Sequence, residues 1–238
     1  MKKVVVLQSN YLPWKGYFDL IHEADLFVFY DEVQYTKNDW RNRNRIYPEK
    51  GLQWITAPVA RDAHRKKISE VKFKNDKWKH DHFATIRSAY GRAKHFHQLE
   101  KLLSEIYFER EWEYLSEFNQ YSIKKIAARI GIRTPFENSK DFKLEGDKAP
   151  KLTGLLNQVR ATEYLTGPSA RSYLSGSEYL FLKNDIKLIY KAYPEYRAYT
   201  QLAKPFVHEV SIVDLIAHVK FDDIKNYIWS LGRPNDKD

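Results

Sequence analysis

Residues 4–30 of this chain, VVVLQSNYLPWKGYFDLIHEADLFVFY, decide its fold class. The run VVVL is short, β-branched and followed by a turn, which predicts a fully buried strand. The segment GYFDLIHEA places apolar residues around Asp19 as a short helix would, and LFVFY predicts a second buried strand. A strand, a helix and a strand within about thirty residues are typical of a βαβ unit in a parallel sheet.

The next part of the chain departs from this alternation. Residues 42–47 and 53–57 predict a β-hairpin around the turn PEKG, and residues 62–77 predict a charged, mobile loop. Amphipathic helices follow, beginning with the helical spacing of Trp78 and Ile86.

Later segments return to the pattern of the N-terminus. TPFENSKDF, TEYLT and IKLIYKAY predict further strands, with helices between and after them; the last helices are VSIVDLIAHV and FDDIKNYIWSLG. We therefore predict a single α/β domain over residues 1–238. It contains a Rossmann-like parallel sheet of nucleotidylyltransferase-like order, a helical lobe at residues 78–130 and a β-hairpin insertion.

Composition limits the function classes. The chain has no cysteine, which excludes disulfides, thiolate zinc sites and a cysteine nucleophile. No run approaches the roughly 20 apolar residues of a membrane span, and no signal-peptide pattern follows the first residues, so we expect a cytoplasmic protein. A net charge of +9 favours an anionic partner such as a nucleotide, a sugar phosphate or nucleic acid. The alternative is a surface that is basic only for solubility.

The turn after the first strand is the main candidate site, because ligands of α/β sheets bind at the carboxyl ends of strands. Trp14, Gly16 and Tyr17 have the spacing of the His-x-Gly-His element of nucleotidylyltransferases, with aromatics replacing both histidines. Alternatively, the aromatics pack the sheet edge. The candidate substrate-binding residues here are Gln8, Asn10, Tyr11, Trp14, Gly16 and Tyr17.

Asp31 ends the second strand in the same way. Its carboxylate is a candidate general base, metal ligand or hydroxyl acceptor, and the alternative is a turn residue. The segment KNDWRNRNRI then gathers cations, which suit phosphate or carboxylate. Its candidate binding residues are Lys37, Asn42, Arg43 and Arg45.

Histidines in the first long helix suggest a metal, but His80 and His82 are two residues apart and lie on different sides of a helix. We therefore predict no metal site. His82 shares the apolar face, as a core histidine or as a general base aimed into a cleft. Lys79 beside it is a candidate anion ligand.

A second strand-then-turn segment, LTGPSARSYL, has the form of an anion nest. Its candidate binding residues are Thr166, Gly167, Ser169 and Arg171. The alternative for Ser169 is an ordinary helix N-cap.

Together, QSNYLPWKGYFDLI, DWRNRNRI, KHDHFATIRSAYGRAKHF, TEYLTGPSARSYL and YTQLAKPFVHEVSIVDLI resemble the WbqC-like protein family over nearly the full length. This family is associated with bacterial O-antigen gene clusters. The resemblance implies a group transferase that places glycine or another acyl group on an amino sugar or a nucleotide-linked sugar.

The donor stays open between ATP, acyl-CoA and aminoacyl-tRNA, so tRNA is a candidate partner beside an anionic small-molecule substrate. Two other classes remain as alternatives. One is a nucleotidyltransferase-like enzyme, and the other is a basic nucleic-acid-binding protein.

Overall fold

A five-stranded parallel sheet is the centre of the fold. The computed structural model describes residues 1–193 and 195–230. In this part, the strands are β1 (Lys3–Leu7), β2 (Leu26–Phe29), β3 (Arg43–Ile46), β4 (Gln53–Thr56), β5 (Phe136–Asn138), β6 (Glu163–Thr166) and β7 (Lys187–Tyr190). The sheet has the order β5-β2-β1-β6-β7 with all neighbours parallel. Counted within the sheet this is 3-2-1-4-5, the Rossmann arrangement, so the predicted α/β class is confirmed.

Helices cover both faces of the sheet. They are α1 (Lys15–Glu23), α2 (Lys77–Tyr90), α3 (Phe96–Phe108), α4 (Leu115–Arg129), α5 (Lys148–Gln158), α6 (Arg171–Leu174), α7 (Glu178–Lys183) and α8 (Ile212–His218). Val5 of β1 packs into the core shared by α1, α2, α3, α4 and α8, whereas Val4 and Val6 pack against α5, α6 and α7. This alternation explains the continuous apolar run VVVL, because a strand with two buried faces needs apolar residues on both.

The predicted hairpin is present, with β3 and β4 paired antiparallel and Asn44 opposite Ile55. Asn44 is buried, while Arg43 and Arg45 are only partly buried, as the alternation of a strand requires. The backbone N–H of Ser211 donates to the Arg45 carbonyl at 2.8 Å, which ties the hairpin to the start of α8.

Residues 62–77 are more ordered than the sequence predicts. They contain two 3₁₀ turns, Ala63–Arg65 and Ile68–Glu70, and Ile68 is buried. The backbone N–H of Ile68 donates to Val33 at 2.9 Å. A few buried apolar residues and backbone hydrogen bonds thus hold this basic segment against the end of β2.

The last part of the chain differs from the predicted helix in FDDIKNYIWSLG. Phe221–Tyr227 forms 3₁₀ turns, and the final two residues of that prediction lie outside the described part of the chain. Within the described ranges, every helix is too short or too polar to cross a bilayer.

Candidate functional site

The carboxyl ends of the parallel strands form one edge of the sheet, and the strand order reverses there between β1 and β6. Gln8 follows β1, and Gly167 follows β6. Open α/β sheets bind ligands in the crevice at such a reversal point, because the connecting loops diverge to opposite faces.

A cavity of about 1000 Å³, here called the edge cavity, opens at this point. Its floor is formed by the ends of β1 and β2, and its walls by the start of α5 and by α6. The polar and aromatic side chains that line it are those of Gln8, Tyr30, Glu32, Gln34, Tyr164, Ser172 and Tyr173. Its basic side chains are those of Arg65, Lys66, Lys67, Lys148 and Lys151.

The edge cavity is positively charged, with five basic residues against two acidic ones, Glu32 and Asp147, among the described residues. Lys67 pairs with Glu32 at 2.9 Å, and Lys66 pairs with Asp62 outside the cavity at 2.8 Å. The other three basic residues form no ion pair with any residue that the structure describes. These three residues give the edge cavity its excess positive charge, which favours the binding of an anion.

Helix α5 adds to this field. It has eleven residues and begins at Lys148, at the cavity wall. The first N–H groups of a helix have no partner within it and carry partial positive charge, which favours an anion nearby. The helix therefore supplements the lysines on the same wall.

A second cavity of about 500 Å³ adjoins the edge cavity and shares Lys66 with it. It lies toward β5 and is lined by Ser69, Lys72, Gln120, Asn138 and Lys140, among others. The edge cavity and this second cavity together form a cleft along the carboxyl edge of the sheet. This cleft can hold an elongated ligand.

Asp31 lies beneath this edge and does not line the edge cavity. Its carboxylate accepts from the Ser9 N–H at 2.8 Å and from Gln120 Nε2 at 2.7 Å. Burial raises the pKa of Asp31, although both hydrogen bonds act in the opposite direction. This geometry favours a positioning role, in which Asp31 joins the first turn to the end of β2.

Glu32 lies in the cavity wall instead. Partial burial alone would raise its pKa, but hydrogen bonds from Ser69 and Lys67 lower it, so this carboxylate is ionised at neutral pH. It is suited to accept hydrogen bonds from an amine or a hydroxyl.

On the other side of the first turn lies a smaller, mostly apolar cavity of about 290 Å³, here called the aromatic cavity. It is lined by Asn10, Pro13, Trp14, Trp40, Asn44, Arg45 and Glu209. Asn10 is only two residues from Gln8, so their Cα atoms are at most about 7 Å apart. The predicted site is thus divided between two cavities that border this turn through different residues.

The basic segment of the hairpin borders the aromatic cavity and not the edge cavity. Arg41 donates to the Asn10 side chain, and Arg45 donates to the Glu209 carbonyl at 2.7 Å. The Arg43 guanidinium lies 4.2 Å from the centre of the Trp54 ring. The Nε atoms of Arg43 and Arg45 are buried and have no hydrogen-bond partner among the described residues.

The asparagines of the hairpin have structural contacts. Asn44 donates to the carbonyls of Tyr11 and Leu12 at 3.1 and 2.9 Å, and Leu12 has a φ of +40°. Asn44 therefore holds a backbone conformation that a non-glycine residue rarely adopts. Asn42 donates to the Ala57 carbonyl at 2.8 Å, and Lys37 is exposed and lines neither cavity.

Three residues of the first turn are buried in the core. Tyr11 is fully buried, and Tyr17 donates to the Gln8 carbonyl at 3.0 Å. A Cβ atom on Gly16 would lie 2.2 Å from the Trp14 ring, so this glycine makes room for the indole. The packing interpretation accounts for these positions, while Trp14 itself is partly exposed at the aromatic cavity.

His82 and Lys79 lie apart from both cavities. His82 Nε2 is 3.1 Å from the Thr56 carbonyl, so this nitrogen carries the proton, and Nδ1 accepts from the Tyr11 hydroxyl at 2.6 Å. Burial lowers the pKa of His82 to about 4, which keeps it neutral. Lys79 pairs with Asp76 and Glu111 at 2.9 and 2.7 Å. Both arrangements match structural roles.

The turn after β6 flanks the edge cavity. Thr166 is buried at the end of the strand, and Gly167 follows it at the reversal point. Ser169 and Arg171 are exposed, and the Arg171 guanidinium lies 4.2 Å from the Tyr190 ring centre. The next residues along the chain, Ser172 and Tyr173, line the cavity in their place.

The basic residues of the edge cavity are not among the site residues predicted from the sequence. They come from the run RKK at residues 65–67 and from DKAPK at residues 147–151. The available signals were a basic run at residues 65–67 and two lysines in the first turn of a helix. They pointed to no site until the position of that helix relative to β1 was known.

Comparison with known proteins identifies one family. The model of the WbqC-like protein family matches residues 8–226. A Mycobacterium tuberculosis protein described as uncharacterized protein Rv1507c is 43% identical over 220 residues, which are 92% of this chain and 94% of that protein. No solved structure matches the chain significantly.

Proposed function

This chain belongs to the WbqC-like protein family, and from that premise we propose that it is a group transferase acting on a phosphate-bearing amino sugar. The substrate class is a nucleotide-linked sugar of bacterial surface-polysaccharide biosynthesis. One observation carries the proposal: a cavity of about 1000 Å³ lies at the reversal point of the sheet and has a surplus of basic side chains.

In this proposal the basic residues of the edge cavity bind the phosphates of the substrate, and Glu32 binds its sugar. Arg65, Lys148 and Lys151 hold the phosphates, since they form no ion pair with a described residue. Glu32 accepts a hydrogen bond from the amine or a hydroxyl of the sugar. The length of the cleft toward β5 accommodates the remainder of the nucleotide.

The exposed face of the hairpin supports a second candidate, binding of an aminoacyl-tRNA end as the donor. Trp40 and Trp54 are 41% and 46% exposed, and their rings lie 5.5 Å apart. Arg43 and Arg45 lie beside these rings. Aromatic faces combined with guanidinium groups bind single-stranded nucleic acid through stacking and charge.

The test of the first proposal is a ligand screen by thermal shift with UDP-N-acetylglucosamine, ATP, acetyl-CoA and bulk tRNA. We expect UDP-N-acetylglucosamine to raise the melting temperature. The double variant Lys148→Gln, Lys151→Gln should weaken its binding at least tenfold, because two charged contacts to phosphate are lost. Lys183→Gln on an exposed part of α7 is the matched control.

Two results would contradict the proposal. One is the absence of any shift with all three small ligands, and the other is unchanged binding in the double variant. A shift with tRNA alone that Arg43→Gln abolishes would favour the second candidate.

A further inference from the structure

A separate basic cavity of about 600 Å³ lies at the carboxyl end of α8. It has no lining residue in common with the edge cavity or the aromatic cavity. Arg92, Lys94, Arg197 and Lys220 line it, and Asp223 is its one acidic residue among those described. This charge distribution favours an anionic ligand.

His218 in the wall of this cavity has a defined tautomer. Its Nδ1 lies 2.7 Å from the backbone carbonyl of Asp214. A carbonyl only accepts hydrogen bonds, so Nδ1 carries a proton, and Nε2 has a lone pair when the ring holds that one proton. The side chain is 5% exposed, and Nε2 is buried without a hydrogen-bond partner among the described residues. Buried polar atoms are nearly always hydrogen-bonded, so Nε2 is suited to a donor that enters the cavity.

One buried carboxylate organises this wall. Asp214 accepts from the hydroxyls of Tyr90 and Tyr199 at 2.9 and 2.7 Å and from Gln201 Nε2 at 2.9 Å. Tyr199 and Gln201 line the same cavity as His218. Their positions are therefore set before a ligand binds, which lowers the entropy cost of binding.

We propose that this cavity is a binding site for a small phosphate ester that carries a hydroxyl group. Arg197 and Lys220, which form no ion pair with any described residue, hold the phosphate. The Nε2 atom of His218 accepts the hydrogen bond of the hydroxyl. This site is independent of the transferase proposal, because it uses other residues at another place in the fold.

The test compares two ligands on the full-length protein by isothermal titration calorimetry. Glycerol 3-phosphate has both groups, and propyl phosphate has the phosphate without the hydroxyls. We expect the wild type to prefer glycerol 3-phosphate about fivefold, the value of one hydrogen bond to a neutral group. His218→Phe should bind both equally, at the affinity that the wild type has for propyl phosphate.

Two exposed positions test the phosphate contact without touching the core. Arg197→Gln and Lys220→Gln should each weaken both ligands to the same extent, at least threefold, while Lys225→Gln, outside the cavity, leaves both unchanged. Nitrogen NMR of the wild type adds a readout that does not depend on the folding of His218→Phe. The Nε2 signal of His218 should shift with glycerol 3-phosphate and much less with propyl phosphate.

Equal binding of the two ligands by the wild type would overturn the role of His218. Binding that is the same in Arg197→Gln and Lys220→Gln as in the wild type would place the phosphate elsewhere. Absence of binding at millimolar concentration would refute the site.

Discussion

Lys15 is an unusual residue for a protein core, and its replacement gives a sharp test of the structure. It is 2% exposed, and its Nζ has no hydrogen-bond partner among the described residues. The rings of Tyr196, Tyr199 and Phe206 lie 4.8, 5.5 and 5.7 Å from Nζ. Burial lowers the pKa of Lys15 to about 8, although the nearby carboxylates of Asp214 and Glu209 raise it.

The size of the effect follows from this pKa. The decrease in the pKa of Lys15 from 10.5 to about 8 means that burying the charged lysine lowers the free energy of unfolding by about 3 kcal/mol at neutral pH. The aromatic rings stabilise the ammonium by about 0.5–2 kcal/mol and reduce that cost. Lys15→Met keeps the length of the side chain and removes the charge. We therefore expect it to raise the free energy of unfolding at pH 7 by about 1–3 kcal/mol.

The pH dependence has a definite sign. Between about pH 8 and 10.5 the unfolded chain binds more protons at this lysine than the folded chain does. The stability of the wild type relative to Lys15→Met should therefore rise through this window, and the advantage of the variant should shrink. Urea denaturation of both proteins at pH 7, 8, 9 and 10 measures the difference, with Lys183→Met as an exposed control.

A variant that is less stable than the wild type at pH 7 would refute this reasoning. It would mean that the ring contacts outweigh desolvation. A stability difference that is constant over the pH range would show that Lys15 titrates normally.

Three further substitutions test contacts described above. Gly16→Ala should lower the free energy of unfolding by about 1–3 kcal/mol, measured by urea denaturation, because the methyl group collides with the indole ring two residues earlier. Tyr11→Phe should cost about 1–3 kcal/mol in the same assay, since Nδ1 of His82 loses its donor; no loss would mean that a water replaces the hydroxyl. Lys191→Met should cost about 3–5 kcal/mol at pH 7, because it leaves the buried carboxylate of Asp19 without its cation. Burial alone would raise the pKa of Asp19, but Lys191 and neighbouring hydrogen bonds lower it below its usual 3.8. The wild type should therefore lose the stabilisation only as the pH falls below 3.8 and through this lowered pKa; a thermal melt series from pH 7 to about pH 2 checks this.

Much of the fold follows from local patterns. The buried runs at β1 and β2, the hairpin, and the helical spacing from Trp78 onward were predicted and are present. Gly131 follows the end of α4 and has a φ of +85°, which a residue with a side chain rarely adopts, as expected for a glycine that ends a helix. These features depend on interactions between residues that are close in the chain.

The candidate site was predicted less completely. The turn after β1 was correctly placed at the carboxyl edge, and Gln8 lines the edge cavity while Asn10, Trp14 and Arg45 line the aromatic cavity. Whether these residues bind substrate stays a prediction. The burial of Asp31 had no local signal, because its partner Gln120 is 89 residues away in the chain. The helical spacing placed His82 on the apolar face, but its contact with Tyr11, 71 residues away, could not be predicted from the sequence.

The amino-acid sequence was sufficient for the fold class, since a continuous apolar strand requires cover on both faces and a parallel sheet with helices provides it. It was also sufficient for an excess of positive charge. The tertiary structure determines which basic residues line the edge cavity. Residues 65–67 and 148–151 are about eighty residues apart, and they line one cavity only because the first segment is held against β2 and α5 begins at the same edge of the sheet. The attraction between these basic residues and an anion depends on their distances in space. The sequence gives only their separation along the chain.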